Sequence, residues 1–236
     1  MISHKFKCIF IHIPKTGGTS VEKSLWTDFS RKNLFGRPNF TQTGVLHHLK
    51  AIHVQQKVGE DIFKKYFKYT FVRNPWSRVL SQYFYTIQVR KDFQRMLGIS
   101  KDSSFKDYVR SLQKVNFNGS PFRFVEIFFN NIPYMKHLSF SKLHTHWEKQ
   151  NKFIIDEHGN QLVDFIGRFE NLQEDFNQVC DRLGIPHRQL PHETVGVSRP
   201  KGKHYSEYYD QETKCLVEEI YWEDIERFNY GFETSG

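Results

Sequence analysis

The sequence predicts an α/β fold: a three-layer sandwich in which helices flank a central, mainly parallel sheet. Short β-branched or apolar runs occupy residues 7–13, 68–72 and 162–169, and they have the length and composition of buried strands. A helical segment follows each run after a short turn, and this alternation of strands and helices favours parallel pairing. A chain of 236 residues can fold as one domain of this class. We therefore predict a single domain over residues 1–236.

The first strand leads into a loop that contains two glycines. Pro14 ends the strand, and residues 15–20 read Lys-Thr-Gly-Gly-Thr-Ser. Thr19 or Ser20 can cap the helix that follows, which continues through the apolar position Val21. The first structural unit is therefore predicted to be strand, glycine loop and helix.

The second strand also ends at a helix start. Residues 48–58 precede it and read as a short helix. After the strand, Asn74 suits the N-cap of a helix and Pro75 suits its first position, so a helix is predicted over residues 76–89.

The third strand is followed by a helix that Gly184 is placed to end. The apolar face of that helix carries Leu172, Phe176, Val179, Cys180 and Leu183. Residues 186–205 read as a loop, and a last amphipathic helix follows it. That helix carries Leu216, Val217, Ile220, Tyr221 and Ile225.

The net charge, the cysteines and the lack of long apolar runs limit which partners and which kinds of site the sequence favours. The formal charge of +8 at pH 7 favours anionic partners, such as a phosphorylated cofactor, an acidic polymer, nucleic acid or a membrane surface. The cysteines Cys8, Cys180 and Cys215 are odd in number, and their spacing indicates neither a disulfide framework nor a CxxC metal site. Because neither a signal peptide nor a run of about 20 apolar residues is present, we expect a cytoplasmic protein without a membrane span.

The glycine loop has the features of a phosphate-binding loop. Glycines let backbone N–H groups approach a phosphate, and the following helix directs its positive end at the same anion. Lys15 adds a point charge. The loop is P-loop-like but is not a Walker A loop, in which the lysine follows the glycines. A simple turn between strand and helix is the alternative. The predicted contacts to the anion are Lys15, Thr16, Gly17, Gly18, Thr19 and Ser20.

A second phosphate site is predicted at the end of the second strand. Arg73 follows the strand, and Ser81 lies eight residues further, about two helical turns along. A guanidinium and a hydroxyl that converge there could hold a phosphate. In an open parallel sheet, ligands lie beyond the carboxyl ends of the strands, where both motifs fall. An arginine salt bridge with a packed serine is the alternative.

Together the two motifs resemble the donor site of sulfotransferases that use 3′-phosphoadenosine 5′-phosphosulfate (PAPS). Residues 15–20 resemble the 5′-phosphosulfate loop of that family, and Arg73 with Ser81 resembles its 3′-phosphate site. The segments 11–20 and 72–78 look like the branch that contains many carbohydrate sulfotransferases.

Two later segments extend the resemblance. Residues 164–172 are similar to the late strand of that branch, near the adenine, which implies a donor contact at Phe169. Residues 199–205, with the following tyrosines, resemble its closing loop. The donor contacts implied there are Arg199, Lys201, Lys203 and Tyr205.

The resemblance implies PAPS as donor and a hydroxyl acceptor on a glycan or a glycosylated small molecule, with no metal required. Lys15 would stabilise charge on the bridging oxygen as the nucleotide leaves. In the resembled branch a catalytic histidine lies between the two phosphate motifs, and His48 is the best match; His47, His53 or an acidic residue elsewhere are the alternatives. Histidine suits a base at neutral pH. A His144–His146 pair is not a convincing metal site, since no third ligand is evident.

Two other classes of function remain open from the sequence. One is a P-loop-type nucleotide kinase or hydrolase, which the absence of Gly-Lys-Ser/Thr disfavours. The other is a nucleic-acid-binding protein, suggested by the charge and the aromatic content, although no known nucleic-acid module is present. We therefore expect no nucleic-acid partner.

Overall fold

The computed structural model describes residues 1–25, 48–113, 145–191 and 202–234. The chain divides into two compact units. The first comprises Met1–Arg73 and Lys149–Glu193, and the second comprises Asn74–Glu148 and Thr194–Gly236. The single domain over residues 1–236 stays a prediction.

The strands and helices follow each other in the order that the sequence indicates. The strands are β1 (Ile2–Ser3), β2 (Cys8–Ile11), β3 (Phe67–Val72) and β4 (Phe165–Arg168). The helices are α1 (Gly18–Leu25), α2 (Ala51–Val58), α3 (Glu60–Lys65), α4 (Pro75–Val89), α5 (Lys91–Leu97), α6 (Phe105–Leu112), α7 (Leu172–Leu183) and α8 (Gln211–Phe228).

The first unit contains a mainly parallel sheet in the order β1-β2-β3-β4. The strands β2, β3 and β4 are parallel, and β1 adds an antiparallel edge to β2. Ile11 pairs with Thr70, and Val72 pairs with Arg168, so the three parallel strands end at one edge of the sheet. This edge is where the α/β class places ligands.

Helices flank this sheet. Phe10 and Phe71 on one face belong to a buried cluster with Val21 of α1 and Phe176 of α7. Side chains alternate between the faces of a strand, so Lys68 emerges on the opposite face, where its Nζ donates to the carbonyl oxygen of Phe63 in α3. The α/β prediction is therefore confirmed.

The second unit is helical and has an aromatic core. Trp76, Tyr108, Trp147 and Tyr221 are all buried there. Indole Nε1 of Trp147 donates to the Tyr108 hydroxyl at 3.1 Å, and the Tyr221 hydroxyl donates to the Trp147 carbonyl oxygen at 2.9 Å. Asn74 caps α4, as predicted, by accepting the N–H groups of the first turn.

One predicted helix begins later than expected. The sequence pattern starts it at His48, but α2 begins at Ala51. The φ angle of His48 is 62°, a left-handed conformation that a right-handed helix excludes. Among the described residues, no helix has both the length and the apolar character that a membrane span requires.

Candidate functional site

Two predicted site residues and one further residue lie at the carboxyl edge of the sheet, each directly after a strand. His12 is the first residue after β2, Arg73 the first after β3, and Phe169 the first after β4. Because the strands are parallel and in register, the sheet brings together positions that are far apart in the sequence. The phosphate loop leaves β2 at this same edge.

The backbone of the loop turns through two left-handed residues just before α1. Lys15 has a φ of 68° and Gly17 a φ of 82°, and α1 begins at Gly18. Within the described chain, no acceptor receives the backbone N–H groups of Thr16, Gly17, Gly18 or Thr19. Successive N–H groups of a left-handed turn and a helix start form a concave anion site.

Neighbouring side chains lie so close to Gly17 and Gly18 that neither position has room for a Cβ atom. A Cβ atom at Gly17 would lie 2.6 Å from Cδ2 of Leu172, and one at Gly18 would lie 2.2 Å from Nε2 of His12. The loop is therefore packed between the His12 ring and the start of α7. A larger residue at either position would displace the loop or its neighbours.

The hydroxyl residues of the loop differ in role. The Thr16 side chain is buried, and its Oγ1 donates to the carbonyl oxygen of Ile13 at 2.9 Å. That hydrogen bond closes the loop on itself, so Thr16 could contact an anion through its N–H group. Ser20 is also buried, whereas Thr19 is partly exposed.

Lys15 is a partly buried cation beside a second cation. Burial, and secondly the positive charge of Arg73, lower the pKa of Lys15 to about 8. Two cations at one edge of the sheet repel each other, and a bound anion would relieve that repulsion. The electrostatics of the site therefore favour an anionic ligand.

Arg73 is held at three points. The side-chain amide of Gln150 accepts from the Arg73 N–H group at 2.9 Å and donates to the Arg73 carbonyl oxygen at 2.8 Å. The guanidinium lies over the Phe169 ring, 3.9 Å from its centroid, and donates to the Lys15 carbonyl oxygen at 3.2 Å. Arg73 is thereby fixed against the phosphate loop.

Phe169 also contacts the glycine loop, at Gly17. Its ring carbons lie 3.1 and 3.3 Å from the position that a Cβ at Gly17 would occupy. Phe169 therefore contacts both the Arg73 guanidinium and the glycine loop. A contact of Phe169 with an adenine stays a prediction.

His48 lies next to the start of the loop. Its Nδ1 is 3.1 Å from the carbonyl oxygen of His12, and the two rings meet edge to face with centroids 4.5 Å apart. His53 is exposed on α2, where burial first and then Lys50 and Lys57 lower its pKa. Of the two described candidates, His48 is the one in contact with the edge of the sheet.

Sequence reasoning missed two side chains of this edge. Gln150 is 77 positions away from Arg73, and no spacing connects them. His12 Nδ1 donates to the carboxylate oxygen Oε1 of Glu22, 2.7 Å away. For His12, the sequence did offer a signal, because a histidine stands out at the end of an otherwise apolar predicted strand.

The other described donor contacts that the sequence predicts belong to the second unit. Ser81 lies partly buried on α4, in the second unit. Lys203 is exposed with its Nζ 4.5 Å from the Tyr208 ring, and the buried Tyr205 hydroxyl accepts the Glu233 N–H group at 2.7 Å. Their donor contacts stay predictions. The predicted residues outside the described part of the chain are His47, His144, Arg199 and Lys201.

No metal site emerges from the ranges that the structure describes. There, no three His, Cys, Asp or Glu side chains are grouped so that they could hold a metal ion.

Comparison with known proteins identifies the family. The chain matches the model described as the sulfotransferase family over residues 1–231. It is also 27% identical, over 138 residues, to an uncharacterized protein of Archaeoglobus fulgidus, a match that covers 58% of this chain and 84% of that protein. Because the family match extends over nearly the whole chain, the protein belongs to the sulfotransferase family and is a transferase of sulfuryl groups.

Proposed function

We propose that the chain transfers the sulfuryl group of PAPS to an acceptor hydroxyl on a carbohydrate. The observation that carries this proposal is the partly buried Lys15, beside Arg73 and the N–H groups that open α1. A nucleotide with an anionic group at each end of its ribose needs two cationic positions, and the presence of Lys15 and Arg73 at this edge of the sheet supports the proposal.

Different residues at this edge would bind the two phosphate groups of the donor. The loop N–H groups from Thr16 to Thr19 would bind the 5′-phosphate at the positive end of α1. Arg73, fixed by Gln150 and Phe169, would bind the 3′-phosphate with a charge-assisted hydrogen bond.

Transfer itself requires one bond to form and one to break. The acceptor oxygen attacks sulfur in line, the bond from sulfur to the bridging oxygen breaks, and adenosine 3′,5′-bisphosphate leaves. Lys15 stabilises the negative charge that develops on the bridging oxygen. His48 receives the proton of the acceptor hydroxyl. As in phosphoryl transfer, positioning and charge stabilisation supply most of the catalysis.

The carbohydrate acceptor is the finer part of the proposal. It is supported by the likeness of residues 11–20 and 72–78 to the carbohydrate branch. Transfer of ³⁵S from labelled PAPS to a pool of p-nitrophenyl glycosides tests it, with a pool of simple phenols as the comparison. Labelling of the phenols alone would contradict the carbohydrate acceptor and leave sulfuryl transfer intact.

Adenosine 3′,5′-bisphosphate should raise the Tm without magnesium, because it binds only the folded state. At about 100 times its Kd the gain is about 2.7 kcal/mol, which corresponds to roughly 5–10 °C for a chain of this size. Adenosine 5′-phosphate should give a much smaller shift, since it has no group for Arg73. Differential scanning fluorimetry measures both.

The matched variants are Arg73→Ala and Arg182→Ala. Arg182 also lies over aromatic rings, those of Phe67 and Phe165, but at the other ends of β3 and β4. Arg73→Ala should reduce the difference between the two nucleotides, and Arg182→Ala should preserve it. Equal Tm shifts from both nucleotides in the unaltered protein would contradict the 3′-phosphate site.

Binding of the bisphosphate should also take up a proton at pH 8.5. Lys15 has a pKa of about 8 before binding, so it is mostly neutral at that pH. A bound anion favours the charged form and raises this pKa, while the phosphates, with pKa values near 6, are already ionised. We expect roughly half a proton or more per site.

Calorimetry in two buffers of different ionisation enthalpy measures this proton. The affinity should correspondingly fall as pH rises through about 8, because the neutral lysine must then be charged on binding. Lys15→Ala should abolish the uptake. Uptake that persists in this variant would assign the proton to another group.

A further inference from the structure

Three titratable side chains of the first unit form a chain beside the phosphate loop. Glu22 Oε1 lies 2.7 Å from Nδ1 of His12, and the His12 ring lies against the ring of His48. His12 is 4% exposed and Glu22 17% exposed, so the pair is shielded from water. The proposed chemistry uses only His48, and it gives no task to the other two.

The His12–Glu22 pair brackets the loop. His12 directly follows β2, and Glu22 lies on α1, one turn after Gly18. The hydrogen bond therefore ties the strand to the helix across the phosphate loop. It also fixes the His12 ring against Gly18, where a Cβ atom would meet that ring at 2.2 Å.

The contact between His48 and His12 selects one tautomer of His48. A carbonyl oxygen only accepts hydrogen bonds, so the 3.1 Å contact requires a proton on Nδ1 of His48. In the neutral ring the lone pair is then on Nε2. The edge-to-face contact with the His12 ring, and the left-handed backbone at His48, hold the imidazole in this orientation.

We propose that His12 and Glu22 are positioning residues that keep His48 in its Nδ1–H tautomer, with Nε2 directed to the acceptor proton. Glu22 holds the His12 ring, and that ring with the His12 carbonyl holds His48. When Nε2 takes the proton, the Nδ1–H group of the imidazolium keeps its hydrogen bond to the carbonyl oxygen. The inference rests on the proposed function for the role of the proton, but the tautomer is independent of it.

The first test is the tautomer of His48, read from two-bond ¹H–¹⁵N couplings in protein labelled with ¹⁵N-histidine, at a pH where the ring is neutral. In the unaltered protein His48 should show the Nδ1–H form. Glu22→Ala should shift it toward the Nε2–H form that neutral histidine favours in water. Glu22→Gln should retain the unaltered spectrum, because its amide oxygen still accepts from His12.

Two further variants complete the set. Glu60→Ala is the matched control, since it removes a glutamate of the same unit that pairs only at the surface, with Lys64 at 2.6 Å. His12→Asn keeps an N–H donor for Glu22 but removes the ring on which His48 packs, so it should give the same change as Glu22→Ala. It keeps the proposal testable if Glu22→Ala fails to fold.

The second test is transfer of ³⁵S from labelled PAPS to the glycoside pool. Glu22→Ala and His12→Asn should each lower turnover about 10- to 100-fold, the usual effect of a misplaced catalytic group. In a His48→Ala background the same changes should have little further effect, because they act through His48. A merely structural role would lower turnover by the same factor in both backgrounds.

The outcomes separate the two proposals. Loss of the Nδ1–H form in Glu22→Ala, together with no further loss of turnover beside His48→Ala, supports the positioning role. An unchanged tautomer, or an equal loss in both backgrounds, overturns it. Failure of the proposed function would appear instead as the absence of any Tm shift with the bisphosphate, whatever tautomer His48 has.

Discussion

Lys15→Ala is expected to lower the turnover of sulfuryl transfer by about 10²–10³, with a smaller loss of donor affinity. In the proposed mechanism, Lys15 meets negative charge that grows on the bridging oxygen as the bond to sulfur breaks. An interaction that is stronger in the transition state than in the ground state lowers turnover when it is removed. Single-turnover transfer of ³⁵S from PAPS to the glycoside pool measures the effect.

Two control variants accompany Lys15→Ala: one removes a nearby lysine, and the other keeps the positive charge at position 15. Lys23→Ala removes an exposed lysine from α1, in the same segment, and should leave turnover close to normal. Lys15→Arg keeps the positive charge, but its larger guanidinium must fit a partly buried position beside Arg73. Partial activity is therefore expected. Near-normal turnover of Lys15→Ala would remove Lys15 from the mechanism.

His48→Ala is expected to lower turnover by about 10²–10⁴. The expected loss follows from removal of the proposed acceptor of the hydroxyl proton, while the loop and Arg73 remain in place. Binding of adenosine 3′,5′-bisphosphate should therefore stay close to normal in calorimetry. Rate-against-pH profiles should lose their rising limb, since a neutral imidazole is the active form.

His53→Ala is the matched control for this prediction. His53 lies five residues further along the chain, and it is exposed on α2. It should retain both turnover and the rising limb. If His48→Ala retains them too, His48 is not the base; if it loses bisphosphate binding as well, the histidine supports the loop rather than the proton transfer.

Most of the fold could be predicted because its signals are local. The buried strands are apolar over a few consecutive residues, and the cap of α4 is formed by Asn74 with the residues next to it. The positive φ at Gly184, which ends α7, is likewise a property of one residue. The predicted start of α2 at His48 is wrong because the backbone there is left-handed, at a residue whose side chain contacts His12, 36 positions away.

The sequence by itself determined the family, and it located the glycine loop between the first strand and the first helix. Residues 15–20 are consecutive, and α1 begins within them at Gly18, so spacing along the chain is sufficient to predict an anion site there. The order of strands and helices also follows from local patterns.

Only the tertiary structure decided what surrounds that loop. Gln150 reaches Arg73 from 77 positions away, Phe169 stands between Arg73 and Gly17, and the His12 ring lies beneath Gly18. Parallel strands in register bring the ends of distant segments to one edge, and close packing there determines which side chains touch. Such contacts leave no periodic trace in the chain, because each depends on the sheet register and on side-chain volume rather than on neighbouring residues.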